Sequence, residues 1–182
     1  MLAHARSSYH EFKPPPALAD RMVCLWVQQV ARAGEVDYAH PVLPDGCVDI
    51  VWIDDAPPVV AGPATQPVIA HLRRGAFLVG ARFRPGCAAG SLGIPADQLV
   101  DRTVPLDEVV SQDNDDLFGR VVRWQSAADR LREVSLMLGR HFGRLPGIDP
   151  AVEHSIRWLV DHPGGRVRDL SDATGLSERQ TL

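Results

Sequence analysis

The chain changes character near Pro95, and that change constrains its fold more than any other feature. Before it, short apolar runs are separated by proline and glycine: Met22–Val30, Cys47–Ile53, Val59–Ala61, Pro67–Leu72 and Phe77–Phe83. Runs of this length and spacing predict a small antiparallel β structure over residues 9–92. Met22–Val30 is long enough to suit a helix as well. Pro14 to Pro16 make a stiff lead-in. Pro44, Asp45 and Gly46 supply a turn, proline setting φ and glycine allowing a positive one.

After Pro95 the apolar spacing turns helical, which predicts helices over most of 105–182. Asp113–Trp124 and Ala127–Phe142 repeat at three and four residues. Leu131, Val134, Leu138 and Phe142 share a side that packs either on the chain's own β structure or on a twin helix. Gly143 to Gly147 form a short linker. Asp149 then N-caps a helix with Pro150 at its first position, and Val152, Ile156, Leu159 and Val160 form its inward stripe. His162 to Gly165 stop it. The expected fold class is α+β, in three parts: residues 1–95, 96–147 and 148–182.

Composition narrows the function classes. Apolar residues make up 45% of the 182, enough for a buried core. The net charge of −4 is unlike that of a nucleic-acid-binding surface, so most of the chain should not touch DNA. No apolar run reaches the roughly 18 residues of a membrane span and no signal core opens the chain. A soluble, cytoplasmic protein is expected. Cys24, Cys47 and Cys87 are odd in number and far apart, which argues against a disulfide framework. With His40 or His71 they are suitable zinc ligands by type, but no C-x-x-C or H-x-x-x-H spacing supports a metal site. Catalysis is not expected either. The histidines are scattered, and no G-x-S-x-G, P-loop or H-E-x-x-H is present.

Arg166 to Leu182 (RVRDLSDATGLSERQTL) is the most informative stretch. Val167 and Leu170 begin a short helix, with small Ser171 where a close helix crossing is made. Gly175 suits a tight turn that needs positive φ. Ser177 caps a second helix, and Gln180 at its third position completes a capping box. This is a helix-turn-helix pattern, whose second helix enters the major groove, although an ordinary helical hairpin has the same layout. Ser177, Arg179 and Gln180 are its candidate DNA-contacting residues.

Residues 149–182 resemble the start of the AraC/XylS-type DNA-binding domain of bacterial transcription regulators. Upstream, Leu43 to Trp52 (LPDGCVDIVW), Ala61 to Thr65 (AGPAT) and Gly80 to Gly86 (GARFRPG) are similar to the sensing domain in a subgroup of these regulators. The resemblance implies a cupin-like antiparallel β-barrel that senses an effector or mediates dimerisation, a helical linker, and a partial helix-turn-helix. It also implies DNA as partner of the full-length protein. A homodimer is the default expectation because symmetric dimers dominate soluble oligomers, and no cofactor is expected. The chain stops inside the first recognition helix, and Thr181 stands where the family usually has leucine. Little or no DNA binding is therefore expected of these residues alone. The competing reading is a cupin-like module that binds a small molecule or metal and no DNA.

Strand alternation bears independently on the effector. Cys47, Asp49, Val51 and Ile53 share one face, opposite Val48, Ile50 and Trp52. Phe77, Val79, Ala81 and Phe83 share another, opposite Gly80, Arg82 and Arg84. Asp49, Arg82 and Arg84 thus converge on one polar site. They form either a structural ion pair or an effector site for a small anion. One carboxylate cannot neutralise two arginines, so the second anion is Asp45 or the ligand.

Overall fold

The computed structural model describes residues 7–33, 37–110, 126–146 and 148–175. The chain divides into two compact units, residues 1–145 and 146–182. Among the described residues no helix is long and apolar enough to cross a membrane.

The first unit holds β1 (Ser7–Phe12), β2 (Met22–Val30), β3 (Tyr38–Val42), β4 (Asp49–Ile53), β5 (Val59–Ala61), β6 (Val68–Leu72), β7 (Phe77–Phe83) and β8 (Thr103–Pro105). Its helices are α1 (Cys87–Leu92), α2 (Leu106–Val109) and α3 (Ala127–Phe142). Among the described residues six strands form one sheet in the order β1-β2-β7-β4-β5-β8, while β3 and β6 pair only with each other. Every pairing is antiparallel. The fold is therefore α+β, but the strands make two sheets rather than one closed barrel. Met22–Val30 is a strand, its polar Gln28 and aromatic Trp26 alternating with Leu25 and Val27. The expected helix at Asp113–Trp124 lies outside the described residues.

Alternation gives the large sheet two unlike faces. Leu25 and Val27, Ile50 and Trp52, Val60, Val79, Ala81 and Phe83 point into the main core. Helix α3 covers that face. Val134, Leu138 and Phe142 have no exposed surface, and the Phe142 ring meets Phe83 edge-on at 5.4 Å between centroids. The apolar side of α3 is thus used within its own chain. Ser126 caps the helix, its hydroxyl accepting from the Asp129 N–H at 3.1 Å. The opposite face of the sheet, with Trp26, Val51 and Leu78, carries a smaller apolar cluster that includes Leu72 of β6. Between these two sheets lies the cavity described below.

In the second unit, α4 (Pro150–Asp161) and α5 (Val167–Thr174) pack on each other. The Asp149 carboxylate caps α4 by accepting from the Ala151 N–H at 2.8 Å, with Pro150 at the first position. The inward stripe expected on α4 is not buried: Ile156 is half-buried, while Val152, Leu159 and Val160 are exposed. The reason is a shortage of partners, because α5 is the only helix the described residues of this unit set against it. Trp158 lies instead over the turn, stacked on the His162 ring at 4.4 Å.

Candidate functional site: a cavity between two sheets

One face of the six-stranded sheet and the β3–β6 ribbon enclose a cavity of about 460 Å³. Its size falls within the range of small-molecule pockets. Side chains two apart in each strand supply its walls. Tyr9 and Glu11 come from β1, Trp26 and Gln28 from β2, Asp49, Val51 and Ile53 from β4, and Leu78 and Arg82 from β7. His40, Ala70 and Leu72 close it from the ribbon. The lining is mostly apolar, with Asp45 and Asp49 beside Arg82 and Glu11 against the Tyr9 hydroxyl.

Register builds that polar end. Asp49 and Arg82 are direct partners across β4 and β7. The Arg82 guanidinium donates through Nε to Asp49 Oδ1 and through Nη2 to Asp49 Oδ2, both at 3.0 Å. Its Nη1 lies 3.4 Å from Asp45 Oδ2. Asp45 is held there by its own turn, its Oδ1 accepting from the Cys47 N–H at 2.9 Å. Burial pushes the Asp49 carboxyl up, and the paired guanidinium pulls it part of the way back. The same pairing holds Arg82 more firmly protonated than an ordinary arginine.

Arg84 does not join them. Strand β7 ends at Phe83, and the Arg84 N–H donates to the Arg21 carbonyl at 2.9 Å. Its side chain turns to the Ala19 carbonyl, with Nε donating at 3.1 Å, so it is exposed and lines no part of the cavity. Of the three expected effector residues, the fold brings together Asp49 and Arg82. The second anion beside the arginine is Asp45. The case for an anionic ligand therefore falls away, because two carboxylates already face one guanidinium.

Several lining residues carry no period-two signal that sequence reasoning could use. The Tyr9 hydroxyl donates to Glu11 Oε1 at 2.9 Å, and burial pushes the phenol above its ordinary range. The Tyr9 and Trp26 rings lie 5.7 Å apart, tilted by 35°. Gln28 is buried, and its amide nitrogen donates to Ser7 Oγ at 2.9 Å and to His40 Nδ1 at 3.2 Å. An amide nitrogen only donates, so Nδ1 accepts and the His40 proton resides on Nε2.

Burial, then the nearby Arg82 charge, lowers the His40 pKa. A depressed folded-state value means that the unfolded chain binds the proton more readily. The stability this group contributes is complete above the ordinary value near 6.5 and is lost as pH falls through the lower folded value. Melting temperature should fall between pH 7.5 and 5, and His40→Asn should remove part of that slope. Equal slopes in the two proteins would show that His40 does not titrate differently on folding.

The thiols offer little chemistry. Burial raises Cys24 to about 11 and Cys47 to about 12, so both stay protonated and weakly nucleophilic at neutral pH. Among the described residues no three His, Cys, Asp or Glu side chains are grouped to hold a metal ion.

In the second unit the described part of the expected helix-turn-helix stretch is α5 and the glycine that follows it. The Asp169 carboxylate accepts from the Arg166 N–H at 3.1 Å and opens α5, while Leu170 and Ser171 are buried. Gly175 closes α5 with φ of 70°, its N–H donating to the Ser171 carbonyl at 2.9 Å. Ser177, Arg179 and Gln180 lie outside the described residues.

Residues 10–105 match the family described as Domain of unknown function (DUF6597). The chain belongs to that family. The match covers more than half of the sequence, and it runs from within β1 to the last residue of β8. The family unit is thus the pair of sheets that encloses the cavity. No curated protein and no solved structure matches the chain.

Proposed function

We propose that this DUF6597 chain is the effector-sensing part of an AraC-type bacterial transcription regulator, acting in the cytoplasm as a homodimer. One observation carries the reading: a mostly apolar cavity with a charged end, enclosed by the stretch that defines the family. Cavities of this size between packed sheets are places where small molecules bind. The two-sheet layout is compatible with a cupin-like sensing module. In chain order the cavity is followed by a capped helix pair that ends in a left-handed glycine. That is the geometry with which a helix-turn-helix begins, and the same stretch carries the AraC-type resemblance.

The mechanism follows from differential binding. An effector that fits the cavity in one conformation better than in another shifts the population of DNA-binding-competent dimers. The test is a gel-shift titration with the chain extended through a complete DNA-binding domain, using fragments selected from genomic DNA. Arg179→Ala in that protein should weaken operator binding by about 1–3 kcal/mol if the side chain reads a base. Unchanged affinity would remove Arg179 from the interface. Failure to select any sequence would remove the regulator reading.

A further inference from the structure

We propose that the cavity takes a small aromatic molecule bearing a protonated amine, with the amine at the Asp45–Asp49–Glu11 end. The inference rests on the reading of this cavity as the effector site and adds the ligand's charge and shape.

Charge points first to a cation. Three carboxylates, Glu11, Asp45 and Asp49, line the cavity against a single guanidinium, Arg82. The guanidinium is already shared by two of them, at 3.0 and 3.4 Å. Glu11 holds the Tyr9 hydroxyl, and among the described residues no basic side chain pairs with it. His40 adds no charge while its ring is neutral. The field at this end is therefore negative, and a carboxylate or phosphate entering it would meet repulsion. An ammonium would meet a ready counter-ion.

Shape and ring chemistry point the same way. Beyond the charged end the walls are Val51, Ile53, Val59, Leu72 and Leu78, which suit a hydrocarbon or aromatic body. Tyr9 and Trp26 form an aromatic corner, and indole and phenol faces attract cations. Trp26 is only 6% exposed, yet its Nε1–H has no hydrogen-bond partner. The Asp49 carboxylate feels this N–H, after burial and the Arg82 pairing, but no bond of normal geometry joins them. This buried N–H thus belongs to the wall beside the Asp49 carboxylate and makes no bond to the ammonium, which has no lone pair to accept from it.

The experiment uses three molecules with one phenethyl body: phenethylamine, phenethyl alcohol and hydrocinnamate. Each is titrated into the whole chain, with tryptophan fluorescence and calorimetry as readouts. Phenethylamine should bind about tenfold tighter than the alcohol, the combined weight of an ion pair and a cation–π contact. Hydrocinnamate should be the weakest. Glu11→Gln with Asp45→Asn, both substitutions on the accessible side of the site, should close most of the gap between amine and alcohol. Ala70→Trp, which fills the cavity from the ribbon, should abolish binding of all three.

Equal affinities, or hydrocinnamate as the tightest, would overturn the charge assignment. If Ala70→Trp still abolished that binding, the cavity would stand as a ligand site of another class. No binding by any of the three to a cooperatively melting chain would overturn both the ligand class and the site.

Discussion

Replacing Arg82 with methionine should lower the unfolding free energy by about 2–4 kcal/mol, read from urea denaturation at neutral pH. Methionine keeps much of the aliphatic stem and removes the charge. What remains is the Asp49 carboxylate, whose side chain is 14% exposed, with Asp45 beside it and no cation between them. Breaking a buried pair by removing one partner costs roughly 3–5 kcal/mol, because the other charge stays desolvated. The lower figure allows for solvent screening, since the guanidinium is 27% exposed and Asp45 more so. A second variant separates charge from packing. Arg82→Met combined with Asp49→Leu removes both charges and should recover most of the loss. A double variant as unstable as the single one would show that methionine fails for reasons of packing. The pair would then not be what holds β4 and β7 in this register.

Alternation makes much of this site legible in the sequence. The opposite faces of Asp49–Ile53 and Phe77–Phe83 follow from the period of two, so Asp49 and Arg82 could be placed together from sequence. Arg84 defeats the same rule, because alternation holds only while the strand lasts and β7 ends at Phe83. Where it ends is decided by the Arg84 N–H bonding to the Arg21 carbonyl, a partner more than sixty residues away. Strands β1 and β3 had no such signature. Ser7–Phe12 is polar and largely exposed, and Tyr38–Val42 carries Pro41, which is tolerated because the ribbon leaves β3 without a second neighbour. With those strands unread, Tyr9, Glu11 and His40 had no place in the site. Glu11 adds a third carboxylate to the lining, so the balance of charge around the cavity was not legible in the sequence. A sum of charges around a cavity depends on which strands line it, and that is a property of topology rather than of any local pattern.

Gly80→Val should cost about 3 kcal/mol of stability and abolish phenethylamine binding, although valine is the better strand former. Gly80 stands opposite Trp26 across β2 and β7 and opposite Val51 across β4 and β7. The Trp26 indole lies over it so closely that a Cβ there would fall inside the van der Waals radii of Cε2, Cζ2 and Nε1. Glycine is required at this position by close approach, since the flat ring occupies the space a side chain would fill. Any larger residue must expel the indole from the wall of the cavity, and the aromatic corner goes with it. A double-mutant cycle with Trp26→Val isolates this contact. The tryptophan substitution alone should cost about 3 kcal/mol through lost packing. Once the ring is gone, however, the valine side chain introduced in place of Gly80 has room to fill the space it left. The double variant should therefore be more stable than the two single effects predict, by more than about 1 kcal/mol. Strict additivity would mean that the indole does not rest on Gly80, and the cavity would lose the wall on which its aromatic ligand depends.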